Sequence, residues 1–187
     1  MKSARLLLAG LCCATCAGAE TFKHAATGIE CPDEVATFKR TAVRNFEEKE
    51  PGLGVACSYL LQNVLVANVY IYTGGRSDLP KDVGDPMMAA IRDQTLKEIE
   101  AGAAMRGDNA RRSLAGILPV QTDKGPVEIM FNSFIITASG NARNSFVWIW
   151  PARKHLVKIR MDTLPNSAVD TKAFREFYEA VVRLAAE

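Results

Sequence analysis

The sequence predicts an α+β domain in which an antiparallel β-sheet is covered by two helices. Two groups of segments alternate apolar and polar residues, which is typical of strands with one buried face. Each group is followed by a segment with apolar residues at helical spacing. Asp85 precedes the first of these segments and Asp170 the second, and each is placed to cap a helix. No internal repeat, low-complexity tract or long linker interrupts this order, so we expect one domain.

The first 19 residues predict a secretory signal peptide. Lys2 and Arg5 precede an apolar run at 6–11, and Ala17, Gly18 and Ala19 form a small-residue cleavage site before Glu20. The run is too short to span a bilayer. We expect cleavage after Ala19, release of residues 20–187 as a single α+β domain, and a periplasmic or secreted location. Lipidation of a signal cysteine is the less favoured alternative, because no leucine precedes Cys16 by three residues.

Charge and cysteine content change when the signal is removed. Of 23 basic residues, Lys2 and Arg5 leave with the signal, so 21 remain against 21 acidic residues. This neutral balance argues against a nucleic-acid partner, which requires a basic surface. Cys31 and Cys57 are then the cysteines that remain. In an oxidising compartment they predict a disulfide, the alternative being two buried free thiols.

The strands of the first half and the first helix follow from local pattern. We expect strands at 35–46, 55–61 and 64–72, with a turn at 62–63 between the last two. Tyr70 and Tyr72 share one face of the third strand. Asp85 caps the helix and Pro86 occupies its first turn, and helical spacing continues to residue 103.

The second half predicts four more strands and a closing helix. The strands span 112–122, 127–138, 142–150 and 156–161, and Pro119 places the first of them at a sheet edge. Asp170 caps the final helix, and Val169 is placed to pack onto Phe174.

Three segments resemble the PsbP-like fold: the turn at 51–54 leading into 55–59, the strand at 68–72, and the segment at 156–160 before a C-terminal helix. The resemblance implies an antiparallel sheet between helices (an α/β/α sandwich) in a small exported or lumenal protein. It further implies a non-enzymatic domain that binds other proteins. No motif is specific enough to transfer binding residues.

Catalytic and metal-binding motifs are missing from the sequence. His24 and His155 stand alone, and no zinc-ligand spacing, nucleophile elbow, phosphate loop or dinucleotide fingerprint occurs. We therefore expect no cofactor and no metal, and an enzymatic role is less favoured than a binding role.

One group of residues suggests a binding groove. Tyr70, Tyr72 and Arg160 would line it, and the loop at 74–78, which carries Arg76, would form its lip. The simpler interpretation is that the tyrosines pack under a helix and the charges face water. We expect Arg160 to project with Lys158 from one face of its strand and to pair with Asp162 or an acidic residue of the last helix.

Two functional hypotheses follow. The preferred one is an exported accessory or binding protein that acts through contacts with a protein or an envelope component. The alternative is a small-ligand carrier or hydrolase that uses a pocket near Tyr70, Tyr72 and Arg160. A closed core with Arg160 paired internally favours the first, and an open cavity with unpaired polar groups favours the second.

Overall fold

The computed structural model describes residues 21–61, 65–165, 167 and 170–186. The expected signal peptide, the turn at 62–63, the start of the third strand at Val64 and the packing of Val169 lie outside the described residues.

Within these residues the chain forms ten strands and two helices in an α+β arrangement. The strands are β1 (Phe22–Lys23), β2 (Glu30–Cys31), β3 (Glu34–Val35), β4 (Phe38–Asn45), β5 (Val55–Leu61), β6 (Leu65–Tyr72), β7 (Asn109–Thr122), β8 (Gly125–Ala138), β9 (Asn141–Ala152) and β10 (His155–Thr163). Helix α1 (Pro86–Met105) lies between β6 and β7, and α2 (Thr171–Ala186) follows β10.

Eight of the described strands form one antiparallel sheet, in the order β3-β4-β5-β6-β10-β9-β8-β7. Two meanders, β4-β5-β6 and β7-β8-β9-β10, therefore meet where β6 pairs with β10. Strand β7 is an edge strand, as Pro119 predicted. Strands β1 and β2 form a separate hairpin.

Both predicted helix starts are confirmed. The Asp85 side chain accepts a hydrogen bond from the Met87 amide at 2.8 Å, and Pro86 opens α1. The Asp170 side chain accepts one from the Ala173 amide at 2.9 Å. Each carboxylate satisfies an amide that has no partner within its own helix.

The two helices contact opposite faces of the sheet. On the face we call the α2 face, Phe146 and Phe174 lie with ring centres 4.8 Å apart, and Tyr59 lies 5.3 Å from Phe177. On the other face, called the α1 face, Thr95 and Ile99 of α1 lie across a cavity from Tyr70 of the sheet. No helix in the described part of the chain combines the length and apolarity needed to cross a bilayer.

The N-terminal part differs from the prediction in detail. The single strand expected at 35–46 is two strands, because the chain turns at Ala36, whose φ is +51°. Strands β1 and β2 were not predicted, since two-residue strands are too short to show a periodic pattern.

Cys31 of β2 and Cys57 of β5 are placed as a disulfide-bonded pair, with their Cα atoms 6.3 Å apart. This geometry fits the predicted bond. The pair connects the β1–β2 hairpin to the large sheet.

Candidate functional site

The predicted cluster assembles where β6 and β10 lie side by side. Their antiparallel register places Lys158 opposite Tyr70 and Arg160 opposite Asn68. Ile159 and Met161 alternate with these residues and are fully buried on the α2 face. The prediction that Lys158 and Arg160 project from one face together is confirmed.

Lys158 packs its ammonium against two aromatic rings. The Nζ atom lies 4.8 Å from the ring centre of Tyr70 and 5.3 Å from that of Tyr72, within the range of cation–π attraction. Burial lowers the pKa of Lys158, and the nearby charge of Arg160 acts in the same direction, whereas Glu98 opposes both. In the described ranges, no carboxylate oxygen lies within 4.0 Å of this ammonium.

The two tyrosines remain protonated at neutral pH. Burial raises the pKa of Tyr70, and burial together with the charge of Glu98 raises the pKa of Tyr72 to about 12. Their hydroxyl groups therefore serve as hydrogen-bond donors and acceptors rather than as bases.

Arg160 has the carboxylate partner that the sequence suggested. Its Nε atom lies 3.2 Å from Oδ2 of Asp162, and 27% of each side chain is exposed. The alignment does not make a hydrogen bond, and Arg160 Nε and Asp162 Oδ1 are both buried without a hydrogen-bond partner. The Asp162 carboxylate thus balances the charge of Arg160, while the Arg160 Nε–H remains without a hydrogen-bond acceptor.

A cavity of about 150 Å³ lies between these strands and α1. It is lined by Tyr70, Thr95, Glu98, Ile99, Val147, Lys158 and Arg160. Beyond Arg160 the polar surface continues, because the Ser58 hydroxyl donates to Asn68 Oδ1 at 2.7 Å and both residues are partly exposed.

Three of the four predicted binding residues come together here. Tyr70 and Arg160 line the cavity, and Tyr72 contacts Lys158 beside it. Arg76 does not line the cavity: it is exposed, in a loop held to Gly52 by the Gly74 amide at 2.8 Å. Thr95 and Glu98 were not predicted as site residues. Thr95 has the spacing of the buried stripe of α1, but the sequence does not show which strands that stripe covers, and Glu98 has the character of a solvent-facing residue.

The histidines lie elsewhere. The rings of His24 and His155 are 5.3 Å apart, and neither residue lines the cavity. His24 is only 8% exposed. Among the described residues, no group of three or more His, Cys, Asp or Glu side chains is placed to hold a metal ion.

Comparison of the chain with protein-family models and with curated proteins finds no match.

Proposed function

We propose that this protein is a non-catalytic binding protein that receives an acidic side chain of a partner protein in the cavity beside Lys158. The observation that carries the proposal is the Lys158 ammonium: it is half-buried on two tyrosine rings and has no carboxylate at ion-pair distance within the described residues.

A partly desolvated cation with no carboxylate at ion-pair distance is unfavourable, and the tyrosine rings and the more distant Glu98 compensate for this only in part. The adjacent Asp162 is engaged by Arg160. A carboxylate entering the cavity would meet the Lys158 ammonium and the Arg160 guanidinium together. It would also displace little ordered structure, because the cavity is already open.

The size of the cavity favours a side chain over a complete small molecule. Its volume of about 150 Å³ is below the roughly 300–1,000 Å³ of sites that enclose drug-sized ligands. An aspartate or glutamate side chain fits this space, while the polar surface around Ser58 and Asn68 offers hydrogen bonds to the rest of the partner.

A small-ligand carrier is the second candidate, since the cavity is open and Arg160 Nε and Asp162 Oδ1 lack hydrogen-bond partners. A hydrolase is less favoured. The lining contains no serine, cysteine or histidine, and the raised pKa of Tyr70 and Tyr72 makes them poor nucleophiles at neutral pH.

We also propose that the domain is PsbP-like and acts after export to a periplasm. Support for the fold comes from an antiparallel sheet with helices against opposite faces. Support for export comes from the signal-like segment before Glu20 and from the Cys31–Cys57 pair. The intact mass of the protein isolated from its native host tests export. The mass should be that of a chain beginning at Glu20, and a full-length cytoplasmic species would contradict export.

The binding proposal is tested by NMR titration with N-acetylglutamate N-methylamide, which mimics an acidic residue within a chain. We expect saturable shifts at Tyr70, Lys158 and Arg160, and none with the neutral glutamine analogue. Lys158→Met should weaken binding at least about tenfold, because a charge-assisted contact is lost. Lys97→Met, on the exposed side of α1, is the matched control and should bind normally.

Equal binding of the glutamine analogue, or normal binding by Lys158→Met, would contradict the proposal. Free glutarate binding much more tightly than the peptide mimic would favour the ligand carrier instead.

A further inference from the structure

A second cavity, of about 270 Å³, lies between α1 and the β7–β8 hairpin and shares no lining residue with the first. Asn132 of β8 lines it and is only 5% exposed. Within the described residues its amide nitrogen, Nδ2, is buried without a hydrogen-bond partner. Leaving a buried donor unpaired is unfavourable, so this atom indicates a place for an acceptor.

A β-bulge shapes this cavity. Arg112 pairs with Phe134 and Ala115 pairs with Asn132, so Ser113 and Leu114 together oppose a single residue of β8. The Leu114 amide donates to the Ser133 hydroxyl at 3.0 Å. Bulges are over-represented next to binding sites because they redirect side chains. Here the bulge leaves the Leu114 side chain 65% exposed at the cavity.

The charged groups around the cavity neutralise one another. Arg92 pairs with Asp93 at 2.8 Å, and Arg112 pairs with Glu100 at 2.6 Å. No net charge is left to select an ion. The buried unpaired group in the lining is one donor, Asn132 Nδ2, and Leu96 and Leu114 add apolar surface.

We propose that this second cavity binds a small uncharged carbonyl compound, whose oxygen accepts a hydrogen bond from Asn132 Nδ2 and whose short apolar chain covers Leu96 and Leu114. A ketone, ester or amide carbonyl provides such an acceptor. A carboxylate would enter a site whose cations are already paired. This site is independent of the acidic-side-chain site at Lys158.

The test is an amide-resolved NMR titration with methyl butyl ketone. We expect saturable shifts of the Asn132 side-chain amide and of Leu114. Asn132→Leu should weaken binding about tenfold or more while leaving stability unchanged or increased, because it removes an unpaired buried donor. Leu114→Ala, at an exposed position, should weaken binding of this ketone more than binding of acetone, whose chain is too short to cover Leu114.

Three results would overturn the proposal. Titration without saturable shifts would mean that water alone occupies the cavity, and normal binding by Asn132→Leu would remove the proposed donor. Tighter binding of hexanoate than of the ketone would show selection for an anion. Lys158→Met should bind the ketone normally, and a loss of binding in that variant would assign the ketone to the first cavity.

Discussion

Lys158 and Tyr70 face each other across β10 and β6, with the lysine ammonium 4.8 Å from the centre of the tyrosine ring. The contact joins the two meanders of the sheet at their only described junction, β6 against β10. It leaves the cation half-buried, with an aromatic surface on one side and an open cavity on the other. The binding proposal depends on this arrangement.

Arg160→Ala should lower the free energy of unfolding by about 1–2 kcal/mol. The Arg160–Asp162 pair is partly exposed, so its loss should cost more than that of a surface pair and less than that of a fully buried one. Chemical denaturation measures the effect. Lys172→Ala, which removes an exposed pair with Glu176, is the control. If both variants lose the same stability, Arg160 has no structural role beyond that of a surface charge.

The denatured, unreduced domain should contain no reactive thiol, because the placement of Cys31 and Cys57 fits a disulfide bond. Reduction should lower stability by about 3.5 kcal/mol, the value that chain entropy gives for a loop of 26 residues. Thiol titration and denaturation with and without reductant measure both quantities. The disulfide would be contradicted by two reactive thiols in the unreduced domain. It would also be contradicted if the reductant did not shift the midpoint of the unfolding transition.

His24 should make the domain less stable as the pH falls below about 6.5. Burial lowers the pKa of His24, the charge of His155 lowers it further, and Glu47 opposes both. The unfolded chain then binds more protons than the folded one between the two pKa values, so acid favours unfolding across that window. The loss should stop once the pH is below the folded pKa.

The measurement is thermal unfolding of the wild type and of His24→Gln at pH values from about 7.5 to about 5, above the range in which carboxylates titrate. The variant should lose less stability over this interval. Parallel curves for the two proteins would show that His24 does not carry the pH dependence. His24 contacts His155, and Arg153 donates to the Thr27 carbonyl at 3.0 Å, so two contacts join the β1–β2 hairpin region to the turn between β9 and β10.

The fold was largely predictable because its main elements carry local signals. Alternation in 64–72 and 156–161 placed Tyr70, Tyr72, Lys158 and Arg160 on their correct faces, and Asp85 and Asp170 marked the helix starts. The separation of β3 from β4 was missed because Ala36 adopts a positive φ, a conformation that alanine does not signal.

The site was only partly predictable. Pairing of β6 with β10 and the position of α1 over the sheet depend on tertiary packing between segments far apart in the chain. Thr95 and Glu98 therefore gave no sign of facing a cavity, and Arg76, expected at the lip of the groove, does not line the cavity. Asn132 was also missed because of tertiary packing. Whether a polar residue in a strand is buried depends on which segments cover that face of the sheet, and the sequence does not show this.

The most direct test of the central claim is a measurement of the pKa of Lys158. NMR of the Lys158 side-chain signals gives this pKa in the free domain and in the presence of N-acetylglutamate N-methylamide. Burial should hold the pKa below the ordinary 10.5 in the free domain, and the bound carboxylate should raise it. By linkage, affinity for the mimic should fall as the pH rises from the free-state pKa to the bound-state pKa. A Lys158 pKa at the ordinary value that the mimic does not shift would contradict an unpaired, partly buried cation at a carboxylate-binding site.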